Sequence, residues 1–250
     1  MHHFFTEPCQ IGDETIRIVG PDVNHMKNVL RMKPGEEVLV SDGAGRDYLC
    51  CVEQLGAEEV LVSIQEELKE RRELPSRIWL FQGLPKSDKM EMIIQKAVEL
   101  GAEAIVPVAT RNAVVKLDGK KEASKRARWQ AIAESAAKQS KRSRIPQVLG
   151  LMSLKEAFSY VTKEGFSLKL IPYEGEQGME GAKKALGQVG PGQQIAVFIG
   201  PEGGFDEDEI KQALELGILP VSLGKRILRT ETAGLAILSV LMMKLEGALS

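Results

Sequence analysis

Five continuous apolar runs, RIWLFQGL (77–84), AEAIVPVAT (102–110), SLKLIPY (167–173), QIAVFIG (194–200) and ILPVSLG (218–224), alternate with helical patterns from Arg77 onward, except where loops intervene. A strand that is apolar at successive positions has both faces buried, which is the state of a strand in a parallel sheet covered by helices on each side. The second part of the chain is therefore predicted to be an α/β layer structure. In an open sheet of that kind the ligand crevice lies beyond the carboxyl ends of the strands, so the loops that leave these runs are where chemistry is expected.

The first seventy residues follow a different rule. ETIRIVG, EEVLVS, RDYLCCVEQ and VLVSIQ are short strand patterns separated by the turns GAG and GAEE, the signature of a small β-barrel. One helix is expected at Pro21 to Met32, with Asp22 capping its first turn and Val23, Met26, Val29 and Leu30 forming one face. The charged run EELKERRELPS (66–76), closed by Pro75, reads as a linker, giving domains at 1–72 and 73–250. Neither repeats nor low-complexity tracts are present, which excludes solenoids and flexible arrays.

Composition decides several classes. With 43% hydrophobic residues and Lys+Arg 33 against Asp+Glu 35, the chain has the material for a real core, and disorder, collagen and coiled coil are excluded. Cys9, Cys50 and Cys51 contain no C-x-x-C pair, so neither a disulfide framework nor a cysteine zinc site is expected, and a reducing, cytoplasmic setting fits. No metal is expected, because histidine, cysteine and paired carboxylates never occur at ligand spacing. The longest apolar stretch, Thr232 to Met243, is too short for a bilayer, which needs about 20 apolar residues, and the first eight residues do not resemble a signal peptide.

Charge is informative when divided. Residues 1–72 hold 8 basic and 14 acidic side chains, whereas 111–144 hold 11 basic and 3 acidic, a net +8 against −6. The basic segment suits a polyanion and equally suits a solvated helix face. Trp79, Trp129 and Phe205 are expected in the core rather than on a base-stacking platform.

Three loops stand out after the apolar runs. Gly200-Pro201-Glu202-Gly203-Gly204-Phe205 separates a strand from a helix opened by Asp206, with Glu209 placed to complete a capping box. Its glycines allow a ligand close to the main chain, although a tight strand-to-helix turn has the same composition, and Glu202 argues against a phosphate cradle. Leu223-Gly224-Lys225-Arg226-Ile227-Leu228-Arg229-Thr230-Glu231-Thr232-Ala233 enters the last helix, with Thr230 or Glu231 at its start; Arg229 beside Glu231 is the default ion pair, while small and apolar residues around two cations equally suggest a pocket wall that meets something anionic. Ile171-Pro172-Tyr173-Glu174-Gly175 has no functional signal by itself.

Taken in order, these loops resemble the SPOUT class of RNA methyltransferases, and more narrowly the ribosomal RNA small subunit methyltransferase E family. The similarity extends over the whole chain: FF near the start, HMKNVLRMKPGEEVLVSDGAGRDY, FQGLPKSDKMEMIIQKAVELG, ESAAKQSKRSRIPQV, GPEGGF and LGKRILRTETA. The resemblance implies a PUA-like barrel followed by a SPOUT-type parallel sheet whose C-terminal segment threads into a deep trefoil knot, a rare exception to ordinary topology. It implies S-adenosylmethionine as cofactor, surrounded by Leu170, Pro172, Ile199, Gly200, Glu202, Gly203, Leu223, Gly224, Ile227, Leu228, Thr232 and Ala233. The partner it implies is 16S ribosomal RNA in the small subunit, methylated at N3 of a uridine (family position 1498), by a homodimer. The apolar final helix, Thr232 to Leu249, is then expected to be buried.

Removing the N3 proton leaves a negative charge on the ring that has to be stabilised. His2, His3 and His25 all lie in the first domain, so a carboxylate or solvent is expected as base. Arg229 is expected to stabilise the anion, with Glu231 orienting it or accepting the proton. Lys86, Lys89, Arg111, Gln139 and Arg142 match family positions that face RNA or the pocket; His25 reads as an RNA contact or, equally, a partly buried barrel residue, and beside it Arg31 is the better RNA candidate. Where the family often carries a basic residue before the FF pair, this chain has His2 and His3. An RNA-binding module without catalysis, and a SPOUT enzyme acting on transfer RNA or ribose oxygens, are the rival readings.

Overall fold

The computed structural model of the chain describes residues 1–68, 72–113, 119–175 and 178–249. Two compact units result, one of Met1–Glu73 with Ala137–Ile145, the other of Leu74–Ala136 with Pro146–Ser250. Part of the expected linker, residues 69–71, lies outside the described residues, as do residues 114–118 of the basic segment.

In the first unit β1 (His2–Phe5), β2 (Thr15–Val19), β3 (Glu37–Ser41), β4 (Asp47–Leu55) and β5 (Glu59–Leu68) form one sheet in the order β1-β3-β4-β5-β2. Only the β1–β3 pair is parallel. Thr6 Oγ1, just past β1, donates to the Arg17 carbonyl of β2, which brings the two outer strands together. Alternation puts Ile16, Ile18, Val38, Val40, Val60 and Val62 inside with Phe4 and Met26, as a half-buried strand requires.

The helix after β2 departs from its expected form. Its α-helical part, α1 (Pro21–Asn24), is followed by a π turn over His25–Val29, closed by Leu30 N–H donating to the His25 carbonyl. The wider turn adds a residue to the period and rotates the next side chains off the helical face. Val29 is accordingly 61% exposed, and His25 is exposed rather than partly buried. Asp22 is not the cap: the chain enters from Gly20 at φ 74, and Asp22 lies 3.0 Å from Lys138.

Residues 137–145 complete this unit with a buried polar cluster. Asp47, 2% exposed, accepts from Ser41 and, at 2.6 Å, from Ser143, while His3 Nε2 sits 2.7 Å from Ser41 Oγ. Buried carboxylates persist only when their lone pairs are filled in this way. Cys50 lies in the same core, and burial pushes its thiol up to about 12. A folded sample at pH 8 should therefore react with a thiol reagent first at exposed Cys9, and at Cys50 only after denaturation. Mass-spectrometric mapping of the label checks this; early labelling of Cys50 would show that the barrel core opens.

The second unit is a parallel sheet in the order β12-β10-β11-β6-β7-β8, with β9 also pairing β7. Its strands are β6 (Arg77–Gly83), β7 (Ala102–Ala109), β8 (Gln147–Val148), β9 (Met152–Ser153), β10 (Leu168–Pro172), β11 (Gln194–Ile199) and β12 (Leu219–Val221). Its helices are α2 (Lys89–Glu99), α3 (Gly119–Ser140, which ends in the first unit), α4 (Leu154–Lys163), α5 (Glu180–Leu186), α6 (Glu207–Glu215) and α7 (Thr230–Leu245). The five apolar runs all occupy this sheet, with most of their apolar side chains buried. Phe81 and Phe198 stack at 4.6 Å in its core, Trp79 packs against them and Trp129 is buried. No helix among the described residues is long and apolar enough to cross a membrane.

Candidate functional site

Because β10, β11 and β12 are neighbours and parallel, their carboxyl ends bring the three loops of interest together. They enclose a cavity of about 600 Å³, within the range of small-molecule sites. Ten of the twelve residues expected around a cofactor line it: Pro172, Ile199, Gly200, Glu202, Gly203, Leu223, Gly224, Ile227, Leu228 and Ala233. Arg229 lines it too. Leu170 does not, since it is buried within β10 below the rim, and Thr232 does not, since a rotation of about 100° per helical residue turns it to solvent.

The glycine loop is held from several sides. Its helix end has the expected capping box: Asp206 accepts from the Asp208 amide, and Glu209 accepts from the Asp206 amide at 2.8 Å. The other Glu209 oxygen takes the Arg111 amide, while the Arg111 guanidinium bonds Asp206 at 2.8 Å and Asp208 at 3.3 Å. Asn112 Nδ2 donates to the Gly203 carbonyl at 3.1 Å. A side chain on Gly203 would press on Asn112, with its Cβ 3.0 Å from the Asn112 Cβ.

At the other end, Thr230 starts α7 and is buried. Its hydroxyl donates to the Gly200 carbonyl at 2.6 Å and accepts from Gln82 Nε2 at 2.8 Å, so the end of β6, the glycine loop and α7 meet in one relay. Neither Thr230 nor Glu231 caps the helix; the extended residue before it is Arg229. Sequence reasoning missed Gln82, although a glutamine inside the apolar run RIWLFQGL is a visible anomaly. Asn112, Tyr173 and Ser222 gave no sequence signal.

The charged residues pair differently from expectation. Glu231 meets Lys89, at 3.2 Å, instead of Arg229. The reason is local: positions two apart at a helix start point in different directions. Lys89 also lies 3.0 Å from Glu202, whose carboxylate takes the Lys86 amide as well. Burial opposes ionisation of Glu202, but the hydrogen bonds from Lys89 and the Lys86 amide outweigh it and hold its carboxyl below the usual range.

The basic segment is largely paired within the protein. Arg128 binds Glu91 at 2.7 Å and Arg126 donates to the Val148 carbonyl. Arg142, expected to face RNA, is 4% exposed and grips Glu73 with two guanidinium nitrogens, so it builds the first unit from inside. Arg31, Lys86 and Gln139 are exposed, and Arg111 is exposed though carboxylate-bound. Among the described residues no group of three His, Cys, Asp or Glu side chains is placed to hold a metal ion.

Comparison with known proteins adds independent findings. A model of the RNA methyltransferase domain matches residues 72–242, and one of the RNA methyltransferase PUA domain matches residues 19–65. The ribosomal RNA small subunit methyltransferase E of Bacillus subtilis is 37% identical over 235 residues, 93% of this chain and 91% of the relative. That of Mesomycoplasma hyopneumoniae is 37% identical over 239 residues, 96% and 98% of the two chains. The crystal structure of the enzyme of the same name from Neisseria gonorrhoeae, bound to S-adenosyl methionine, superposes with a TM-score of 0.85 at 34% identity over 97% of each chain.

Proposed function

The chain belongs to the ribosomal RNA small subunit methyltransferase E family, and from that premise we propose that it is an S-adenosylmethionine-dependent methyltransferase acting on 16S ribosomal RNA. We place the methyl group on N3 of a uridine, the family position 1498, in the assembled small subunit in the cytoplasm. The observation that carries this reading is the cavity at the ends of β10, β11 and β12, walled by ten residues named in advance as cofactor contacts.

The cavity fits the cofactor in chemistry as well as size. Leu223, Ile227 and Leu228 offer apolar contact to a purine, and Gly200 and Gly203 give access to the main chain. Ile227 is 78% exposed, an apolar surface on the cavity wall. When bound, the cofactor supplies an electrophilic methyl group. The chain's own residues do the rest: Arg229 on the wall stabilises the negative charge left on the uridine ring, and Glu231 receives the N3 proton. Pairing of Glu231 with Lys89 leaves Arg229 to the substrate and argues against Glu231 orienting Arg229.

The finer architecture follows the same reading. We assign 1–72, joined by residues 137–145, to a PUA-like RNA-binding domain and the rest of 73–250 to a SPOUT domain with a trefoil knot. Exposure of Arg31, Lys86 and Gln139 favours these three as RNA-facing residues, whereas Arg111, also exposed, is held by Asp206 and Asp208. A homodimer accounts for the apolar residues that α7 leaves uncovered, such as Met243.

The test is nucleoside analysis of small-subunit ribosomal RNA from cells lacking the protein, before and after treatment with purified protein and S-adenosylmethionine. N3-methyluridine, absent before and present after, is the expected result. A different restored nucleoside would overturn the target atom, and no restoration despite cofactor binding would overturn the substrate.

A further inference from the structure

We propose that Lys89 is a positioning residue of the methyl-transfer site, its ammonium engaging the Glu231 carboxylate instead of an RNA phosphate. The inference rests on reading the cavity as a methyltransferase site. Lys89 is the first residue of α2, so its side chain starts from the fixed turn that follows β6. Its Nζ lies 3.0 Å from Glu202 Oε1 and 3.2 Å from Glu231 Oε2, joining three elements far apart in sequence: α2, the loop 200–205 and α7.

The two carboxylates are not equivalent. Glu202 accepts the Lys86 amide on both oxygens as well as the Lys89 ammonium, which saturates it as a structural anchor. Glu231 is the more enclosed, with 16% of its side chain exposed, and no donor among the described residues makes a well-aligned hydrogen bond to its buried Oε2. The nearby ammonium therefore fixes Glu231 by charge attraction. An ammonium has three donors and serves both carboxylates at once. Remove it, and two like charges face each other across the rim with nothing between them. The hydrogen bond to Glu202, and the proximity of Glu231, make Lys89 hold its proton more tightly than an ordinary lysine. A cation held in this way has little left to offer a phosphate.

A double-mutant cycle separates the two roles, because a residue acting through Glu231 loses its effect once Glu231 is gone. Wild type, Lys89→Met, Glu231→Gln, the double variant and Lys89→Arg are assayed at full length on unmodified small subunits, with cofactor affinity measured separately by calorimetry. Lys89→Met should lower kcat by about tenfold or more while KM for RNA stays within about threefold. Adding it to Glu231→Gln should cost nothing further, and Lys89→Arg should recover most of the rate. A loss that appears in KM for RNA, or that adds to that of Glu231→Gln, would overturn the assignment and make Lys89 a phosphate contact. Failure of the wild type itself to bind cofactor would overturn the methyltransferase reading, and the inference with it.

Discussion

Replacing Arg229 by alanine should lower kcat on the order of 10² to 10³ fold, the usual loss for one preorganised donor to a developing negative charge, and leave the dissociation constant of S-adenosylmethionine within about threefold. Arg229 is the last extended residue before α7, at φ −65 and ψ 153, which sets its side chain at the mouth of the cavity. Among the described residues no carboxylate pairs with it, since Glu231 is taken by Lys89 and the exposed residue stands outside the Glu202 network. A guanidinium placed so is suited to an anion that arrives with the substrate: it is always charged, planar and able to bond two oxygens. Single-turnover kinetics on unmodified small subunits, with calorimetric titration of the cofactor, measure the two quantities separately. If cofactor affinity falls in parallel with the rate, Arg229 is a wall of the cofactor cavity and its assigned role in charge stabilisation is wrong.

The parts of this molecule that sequence reveals are those in which a local pattern reports a local environment. The five runs of the parallel sheet are predominantly apolar at successive positions because both faces of the sheet are covered, and the capping box of Asp206 and Glu209 needs only four consecutive residues. What escaped depends on partners distant in the chain. β1 is built from His2, His3, Phe4 and Phe5, two of which are ordinarily polar, and it becomes a strand only by pairing in parallel with β3. β8 and β9, two residues each, are too short for a period. The π turn at His25–Val29 leaves no compositional trace, so the helix face assigned by a 3.6-residue period carried Val29 inward when it points out. Resemblance matches Arg142 to a position that faces RNA or the pocket, yet Glu73, 69 residues earlier, holds it inside the first unit. Lys89 illustrates the same limit at the site itself, since Glu202 lies 113 residues away. Resemblance bridges such distances where periodicity does not, which is why ten cavity residues were anticipated, while Gln82 and Asn112, which fix the loop from behind, were not.

Gly83→Ala should damage cofactor binding without touching the cofactor. Gly83 ends β6, beside the relay of Gln82, Thr230 and the Gly200 carbonyl. A Cβ there would stand 2.7 Å from the Pro201 nitrogen, 2.8 Å from its Cδ and 3.0 Å from the Gly200 carbonyl carbon. These are backbone and ring atoms of the glycine loop, with no flexible end to swing aside, so the loop itself has to move. Relief in one direction strains β6, which pairs with both β7 and β11, and in the other it pulls Gly200 away from the Thr230 hydroxyl and leaves buried polar atoms unpaired. Overpacking of this kind costs about 1–3 kcal/mol, and a displaced loop should weaken S-adenosylmethionine by about tenfold or more, the equivalent of about 1.4 kcal/mol. Gly190→Ala is the matched control, since nothing lies within 4 Å of a Cβ at that position, and its effect on stability should stay within about 0.5 kcal/mol. Thermal denaturation and calorimetric titration of both variants decide the matter. Equal behaviour of the two would mean that the glycine loop yields freely at Pro201, and that the close approach of β6 does not set the cavity's shape.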